Sequence, residues 1–154
     1  MTTTSPRLRA LPSRLLSQAA THGDRLVSDG LARIGARKWH YAVLATLADA
    51  GPASQAEMSR RTGIYRSDMV AVLNELERDG YAQRVPDPND QRRNVITLTK
   101  AGTKRLHELD AVLADLQQEL LTPLTAAQRE QLAALLTQLV DHHDGRHDRD
   151  PSST

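Results

Sequence analysis

The 154-residue sequence contains no cysteine and no phenylalanine, and its aromatic residues are one Trp and three Tyr. Without cysteine there is no disulfide, no thiolate nucleophile, no thiol redox sensor and no cysteine-ligated zinc. With so few aromatic side chains the core must be built from Leu, Val, Ile and Ala, and such a core is usually helical. No apolar run approaches the roughly 18 residues of a membrane span, and the N-terminus lacks the apolar stretch of a secretion signal, so a cytoplasmic chain with no membrane role is expected. Hydrophobic residues at 39% and charged residues at 25% supply one core rather than two and exclude disorder over the whole length.

The formal net charge is only +1, yet it is unevenly spread. Residues 1–105 carry 17 Lys+Arg against 10 Asp+Glu, and residues 106–154 carry 3 against 9, so a basic part of +7 is joined to an acidic part of −6. This polarity fits one part that meets a polyanion and another that does not; an acidic helical end without such meaning is the plainer alternative.

Residues 1–6 and the tail 144–154 lack apolar periodicity and are expected to be frayed or disordered. Within 7–36, Leu8, Leu11, Leu15, Leu16, Ala19, Leu26, Val27, Leu31 and Ile34 recur at helical steps, with Pro12 marking the first turn. A second helix runs from about Arg37 to Ala50 and stops at Gly51-Pro52. Ser54 to Glu57 reads as a capping box that opens a short helix. Thr62-Gly63 breaks it, and Ile64, Met69, Val72, Leu73 and Leu76 start a new helical stripe that ends before Gly80. Tyr81–Val85 and Asn94–Leu98 then read as two strands around a turn at residues 86–91, with Arg92 and Arg93 at the hairpin tip. In the last part, 106–143, Leu106, Leu109, Leu113, Leu116 and Leu120 form a heptad seam, which asks for a partner helix or folds back within one subunit. Pro123 breaks it, and Thr125 to Gln128 is a second capping box opening a final helix with Leu132, Leu135, Leu136, Leu139 and Val140 on one face.

Helix, sharp glycine turn, helix and basic hairpin across 37–105 is the order of a winged helix-turn-helix, in which one helix enters the major groove and the hairpin lies over the adjacent backbone or minor groove. The fold class is therefore mainly α, with a small α+β wing and long helices before and after it. Asp87-Pro88-Asn89-Asp90-Gln91-Arg92-Arg93, followed by Ile96-Thr97-Leu98-Thr99-Lys100-Ala101-Gly102, resembles the wing and following helix start of the MarR (multiple antibiotic resistance regulator) family of transcriptional regulators. Val43-Leu44 with Leu47, Gln55 to Ser59, Gly63, Arg66-Ser67 and Leu76-Glu77-Arg78 add to the likeness, which runs from about Trp39 to Leu106. The resemblance implies a homodimer whose first helix and last two helices intertwine, acting on double-stranded DNA as a ligand-responsive repressor at a palindromic operator. It also implies that Arg92 enters the minor groove and that Asp90 fixes its direction. A nonspecific DNA-binding or protein-interaction winged helix is the alternative.

On a helical wheel, the face opposite Met69, Val72, Leu73 and Leu76 carries Ser67, Ala71, Asn74 and Arg78, flanked by Arg66, Asp68 and Val70. Arg66 has the donors for guanine and Asn74 the acceptor–donor pair for adenine; Ser67 reaches a phosphate or base, and Val70 a thymine methyl group. Arg78 is a base-side cation or a solvated one. Asp68 is expected to cap the helix or accept from cytosine. Ala71 and Tyr65 depart from the family, which usually carries a longer polar side chain and a small capping residue there. Arg93, Arg60 and Arg61 are candidate phosphate contacts or solvated charges.

The resemblance implies a small aromatic or phenolic effector in the crevice between the dimer helices and the winged helix; Lys38, Trp39, His40 and Tyr41 concentrate aromatic surface beside cationic or titratable groups, a composition suited to an aromatic anion, with packing roles for Trp39 and Tyr41 as the alternative. His142, His143 and His147 have spacing compatible with a divalent ion, but in an Asp-rich stretch no metal site is expected. No Ser/His/Asp arrangement, phosphate loop or paired-carboxylate constellation stands out, so neither an enzyme nor a cofactor is expected.

Overall fold

A computed structural model of the protein describes residues 4–147. The helices are α1 (Pro6–Arg9), α2 (Pro12–Ala32), α3 (Lys38–Ala50), α4 (Gln55–Thr62), α5 (Arg66–Arg78), α6 (Lys100–Leu120) and α7 (Ala126–His147), with strands β1 (Ala82–Asp87) and β2 (Asp90–Leu98) between α5 and α6. The described chain divides into two compact units, the first ending at Leu116 and the second beginning at Gln117. Among the described residues no helix is long and apolar enough to cross a membrane.

The expected first helix is two. Pro12 has no N–H to give to a preceding turn, so it opens α2 at the first helical position, and Pro6–Arg9 form a separate short helix before it. At the other end α7 continues through residues 144–147, expected as tail. Gly145 is the poorest helix former there and costs about 1 kcal/mol, too little to end the helix alone. Residues 1–3 and 148–154, the rest of the expected frayed ends, lie outside the described residues.

The corner forms as the sequence indicates. Ser54 Oγ accepts from the backbone N–H of Glu57 at 3.2 Å, and Gly63, at φ +74°, takes the left-handed conformation that ends α4. The capping box is only half made, because the Glu57 carboxylate faces Arg61 at 3.8 Å instead of the cap. At the end of α5 the N–H of Tyr81 reaches the Leu76 carbonyl at 2.9 Å around Gly80, which has φ +78°.

The wing strands pair antiparallel from Ala82↔Leu98 to Pro86↔Asn94, with a register shift between Pro86 and Asp87. They extend further toward the tip than expected, leaving only Pro88-Asn89 between them, since a proline beside a bulge at a strand edge removes no needed ladder bond. Ala53 joins as a third, one-residue rung: its N–H donates to Ile96 at 3.2 Å and the Ile96 N–H returns at 2.7 Å. The rung ties the wing to the segment that opens α4. Thr99 caps α6, its Oγ1 accepting from the Gly102 N–H at 3.0 Å and donating to the Gly80 carbonyl at 2.6 Å.

The first unit's core joins Leu31, Val43, Leu44, Leu47, Ile64, Val72, Leu73, Leu76, Ile96 and Leu109, but also the fully buried Met58 and Met69. The expected aliphatic core thus includes methionine, whose flexible thioether fills the space that absent aromatics would occupy. Leu106, Leu109 and Leu116 of the heptad seam are buried within the single chain, and Leu113 packs partly buried on the same core. The seam therefore folds back on its own subunit and does not by itself require a partner helix. In the second unit, the α7 side chain Arg129 donates to the Leu124 carbonyl at 3.2 Å and to Gln118 Oε1, and the capping box at its start is complete: Gln128 Oε1 accepts from the Thr125 N–H at 2.9 Å and Thr125 Oγ1 from the Gln128 N–H at 3.2 Å.

Candidate nucleic-acid interface

Met69, Val72, Leu73 and Leu76 are all buried, so α5 is anchored on the stripe its period indicates. That anchoring leaves Arg66, Ser67, Val70, Ala71, Asn74 and Arg78 exposed together. Tyr65, at the N-cap, is 80% exposed and caps nothing with its side chain. Asp68 is half-buried in the first turn, where the helix dipole favours a carboxylate, and it makes no side-chain hydrogen bond among the described residues. Arg78 pairs loosely with Asp79 at 3.6 Å on the surface.

Arg84, a residue the sequence reading missed, reaches from β1 to this face. Its Nη1 donates to Asn74 Oδ1 at 3.2 Å and to Glu77 Oε2 at 2.8 Å. The signal was its place in the strand: Ala82 is core, so Arg84, two residues on, projects from the same side of β1 toward α5.

In the wing, Asp90 Oδ1 accepts from Arg92 twice, from the backbone N–H and from Nε, both at 3.1 Å. The Arg92 side chain is otherwise 92% exposed, and its hydrogen bond holds the Asp90 carboxyl below the usual carboxylate range. Arg93 beside it is exposed. Arg60 and Arg61 are exposed on α4, and Arg60 borders an open hollow with Tyr65 and Arg66. Exposed guanidinium groups thus stand on α4, on α5 and at the wing.

Within the single chain, Lys38, Trp39, His40 and Tyr41 face different surroundings. Four consecutive residues of a helix point in different directions, and here each finds a different neighbour. Lys38 and Trp39 line a largely apolar hollow of about 290 Å³ with Ser28, Ala32, Ala36 and Arg37, the last lying over the Trp39 ring at 5.9 Å. Tyr41 donates to Asp110 Oδ1 at 2.8 Å, a bond that raises its pKa. His40 faces α5: its Nδ1 accepts from the Arg37 N–H at 3.1 Å, which leaves the proton on Nε2 to donate to Glu75 Oε2 at 2.6 Å. Arg37 donates to the same oxygen at 2.5 Å, and these bonds, His40's first, hold the Glu75 carboxyl below its usual range. The space His40 borders, about 10 Å³, is too small for a ligand. Among the described residues no three His, Asp or Glu side chains converge as metal ligands; His142 and His143 lie edge to face.

A short first helix, a second helix with an exposed polar face, and a cationic hairpin beside it define a winged helix-turn-helix protein of the transcription-regulator class. Residues 29–93 match the sequence profile of the MarR family. The chain is similar to the uncharacterized HTH-type transcriptional regulator YcgE of Bacillus subtilis, 30% identical over 95 residues, and it spans 62% of that relative's length as of its own. It is also similar to the multiple antibiotic resistance protein MarR of Escherichia coli, 28% identical over 130 residues, 82% of this chain and 89% of that one. A crystal structure of a MarR mutant complexed with operator DNA superposes with a TM-score of 0.73 at 25% identity, covering 88% of this chain and 99% of that one. The PcaV transcriptional regulator of Streptomyces coelicolor, in complex with its natural ligand, superposes with a TM-score of 0.73 at 26% identity, covering 92% and 98%. The family profile, the relatives and the solved structures together support a MarR-family transcriptional regulator.

Proposed function

We propose that the protein represses transcription by binding, as a homodimer, to an inverted-repeat operator, and that a small aromatic or phenolic effector weakens this binding. The observation that carries the reading is the Asp90–Arg92 pair, which aims one exposed guanidinium from the wing while α5 keeps a continuous exposed face. α5 lies in the major groove, where Arg66 donates to guanine, Val70 meets a thymine methyl group, Ser67 holds a base or phosphate and Asn74 reads a base edge. Arg92 enters the minor groove, and Arg60, Arg61, Arg78 and Arg93 neutralise phosphates. Ala71 leaves a gap in this face, so groove shape around the wing carries a large share of specificity.

Leu8, Leu11, Leu15 and Leu16 near the N-terminus, and Leu135, Leu139 and Val140 on α7, are 39–59% exposed. Apolar rows of this length are costly in water, and a second copy of the chain is the occupant that buries them. For the effector, the hollow beside Lys38 and Trp39 offers a largely apolar wall and, in Lys38, a cation with no carboxylate partner among the described residues, a combination suited to a phenolic carboxylate. Selection from randomised duplexes tests the reading. It is expected to return an inverted repeat with half-sites about one helical turn apart, released by millimolar 4-hydroxybenzoate. A single unrepeated site, or release unaffected by changing Trp39 to Ala, contradicts the dimer or the effector part respectively.

A further inference from the structure

Asn74 sits on the exposed face of α5, but its carboxamide oxygen is engaged. Arg84 Nη1 donates to it at 3.2 Å and to Glu77 Oε2 at 2.8 Å. The Arg84 and Glu77 side chains are 28% and 29% exposed, and the second Glu77 oxygen is buried without a hydrogen-bond partner among the described residues. Arg84 is therefore the compensation for a desolvated carboxylate and is anchored on it.

A carboxamide has an acceptor on one arm and two N–H donors on the other, whereas a guanidinium only donates. Beside Arg84 the amide must turn its oxygen inward, and its NH₂ group then points away from β1. Turning it over would set donors against donors. We propose that Arg84 is a positioning residue that makes Asn74 read as a donor alone. Resting on the reading that α5 lies in the major groove, this fits the adjacent N7 and O6 acceptors of guanine. It disfavours the adenine expected from residue type, because an Asn74 oxygen held toward Arg84 is turned away from the edge on which adenine's N6 amine would donate to it. Arg84 itself touches no base.

The test is binding-site selection with the full-length chain and variants whose folding is checked by thermal melting. Wild type is expected to select guanine at one position of each half-site, and Asn74→Ala to lose that preference by roughly fivefold to a hundredfold. Arg84→Met keeps the bulk of the stem without donors; it is expected to accept adenine there at least as well as guanine, with other positions unchanged. Arg84→Lys, which donates to the same oxygen, is expected to restore guanine in part. A uniform loss of affinity with unchanged preference in Arg84→Met overturns the proposal, as does adenine selected by the wild type at the Asn74-dependent position. If Arg84→Met does not fold, Glu77→Gln, which loosens the anchor, must move the preference toward adenine; an unchanged preference overturns the proposal. Should Asn74→Ala leave every position as in wild type, the groove reading fails at Asn74 and the proposal falls with it. If Asn74→Ala alters the guanine position and Arg84→Met does not, only the proposal falls.

Discussion

A single oxygen of Asp90 accepts two hydrogen bonds from Arg92, one from its backbone and one from its side chain. The carboxylate thereby fixes both the turn of the strand and the direction of the guanidinium it carries. Arg92→Ala is expected to cost about 1–3 kcal/mol in operator binding with the fold unchanged. Asp90→Ala should weaken binding by less, although it removes a negative charge from the proposed DNA-binding surface. Titration of both variants against the same duplex checks this; tighter binding by Asp90→Ala would mean that net charge outweighs orientation.

Gly102 packs on the chain crossing beneath it. A Cβ added there would fall on the Tyr81 carbonyl oxygen and crowd Leu98, and neither the backbone oxygen nor the capped start of α6 has room to yield. Gly102→Ala is expected to destabilise the fold by about 1–3 kcal/mol or more, read by urea denaturation. Wild-type stability would show that α6 can slide.

Glu75 joins α3 to α5 through His40 and Arg37, and its folded pKa lies below the ordinary value of 4.5. Ionised Glu75 therefore contributes stability above about pH 4.5, and the contribution disappears as pH falls through the folded value. Glu75→Gln is expected to be less stable than wild type near neutrality by about 1 kcal/mol, with the gap closing in acid. Melting curves from neutral to acidic pH read it directly; a gap constant with pH would assign the loss to packing.

Leu135 and Leu139 stand 59% and 46% exposed on α7. Replacing both by Glu puts charge on a face that needs an apolar neighbour, without touching the first unit's core. Sedimentation is expected to give a dimer for wild type and a monomer for the variant, with operator affinity reduced at least about a hundredfold by loss of the second half-site. A variant that sediments as wild type does would place the dimer contact elsewhere.

What could be read from the sequence was local. Gly63, Gly80, Ser54 and the α5 stripe announce themselves within a turn or two, because caps, left-handed glycines and helical periodicity are properties of neighbours in the chain. The Asp90–Arg92 pair is also local, two residues apart, but it was the resemblance to the family that singled it out. Arg84 is different: its partners lie seven and ten residues away, and only the packing of β1 on α5 brings them together. The heptad seam was legible as a seam but not in its destination, since period alone does not say whether the facing surface belongs to the same chain. Likewise the cluster of residues 38–41 was visible as composition, while its dispersal over separate surroundings follows from the 100° step of the helix.

Sequence-specific binding of DNA by a dimer is read from the affinity for a selected inverted repeat and for a scrambled duplex of equal length across a salt series. Both should weaken as salt rises, since both are held by phosphate contacts. The inverted repeat should remain bound on the order of a thousandfold more tightly throughout, with two chains per duplex. Equal affinities at every salt concentration would rule out sequence-specific recognition and leave a winged helix that binds DNA by charge alone.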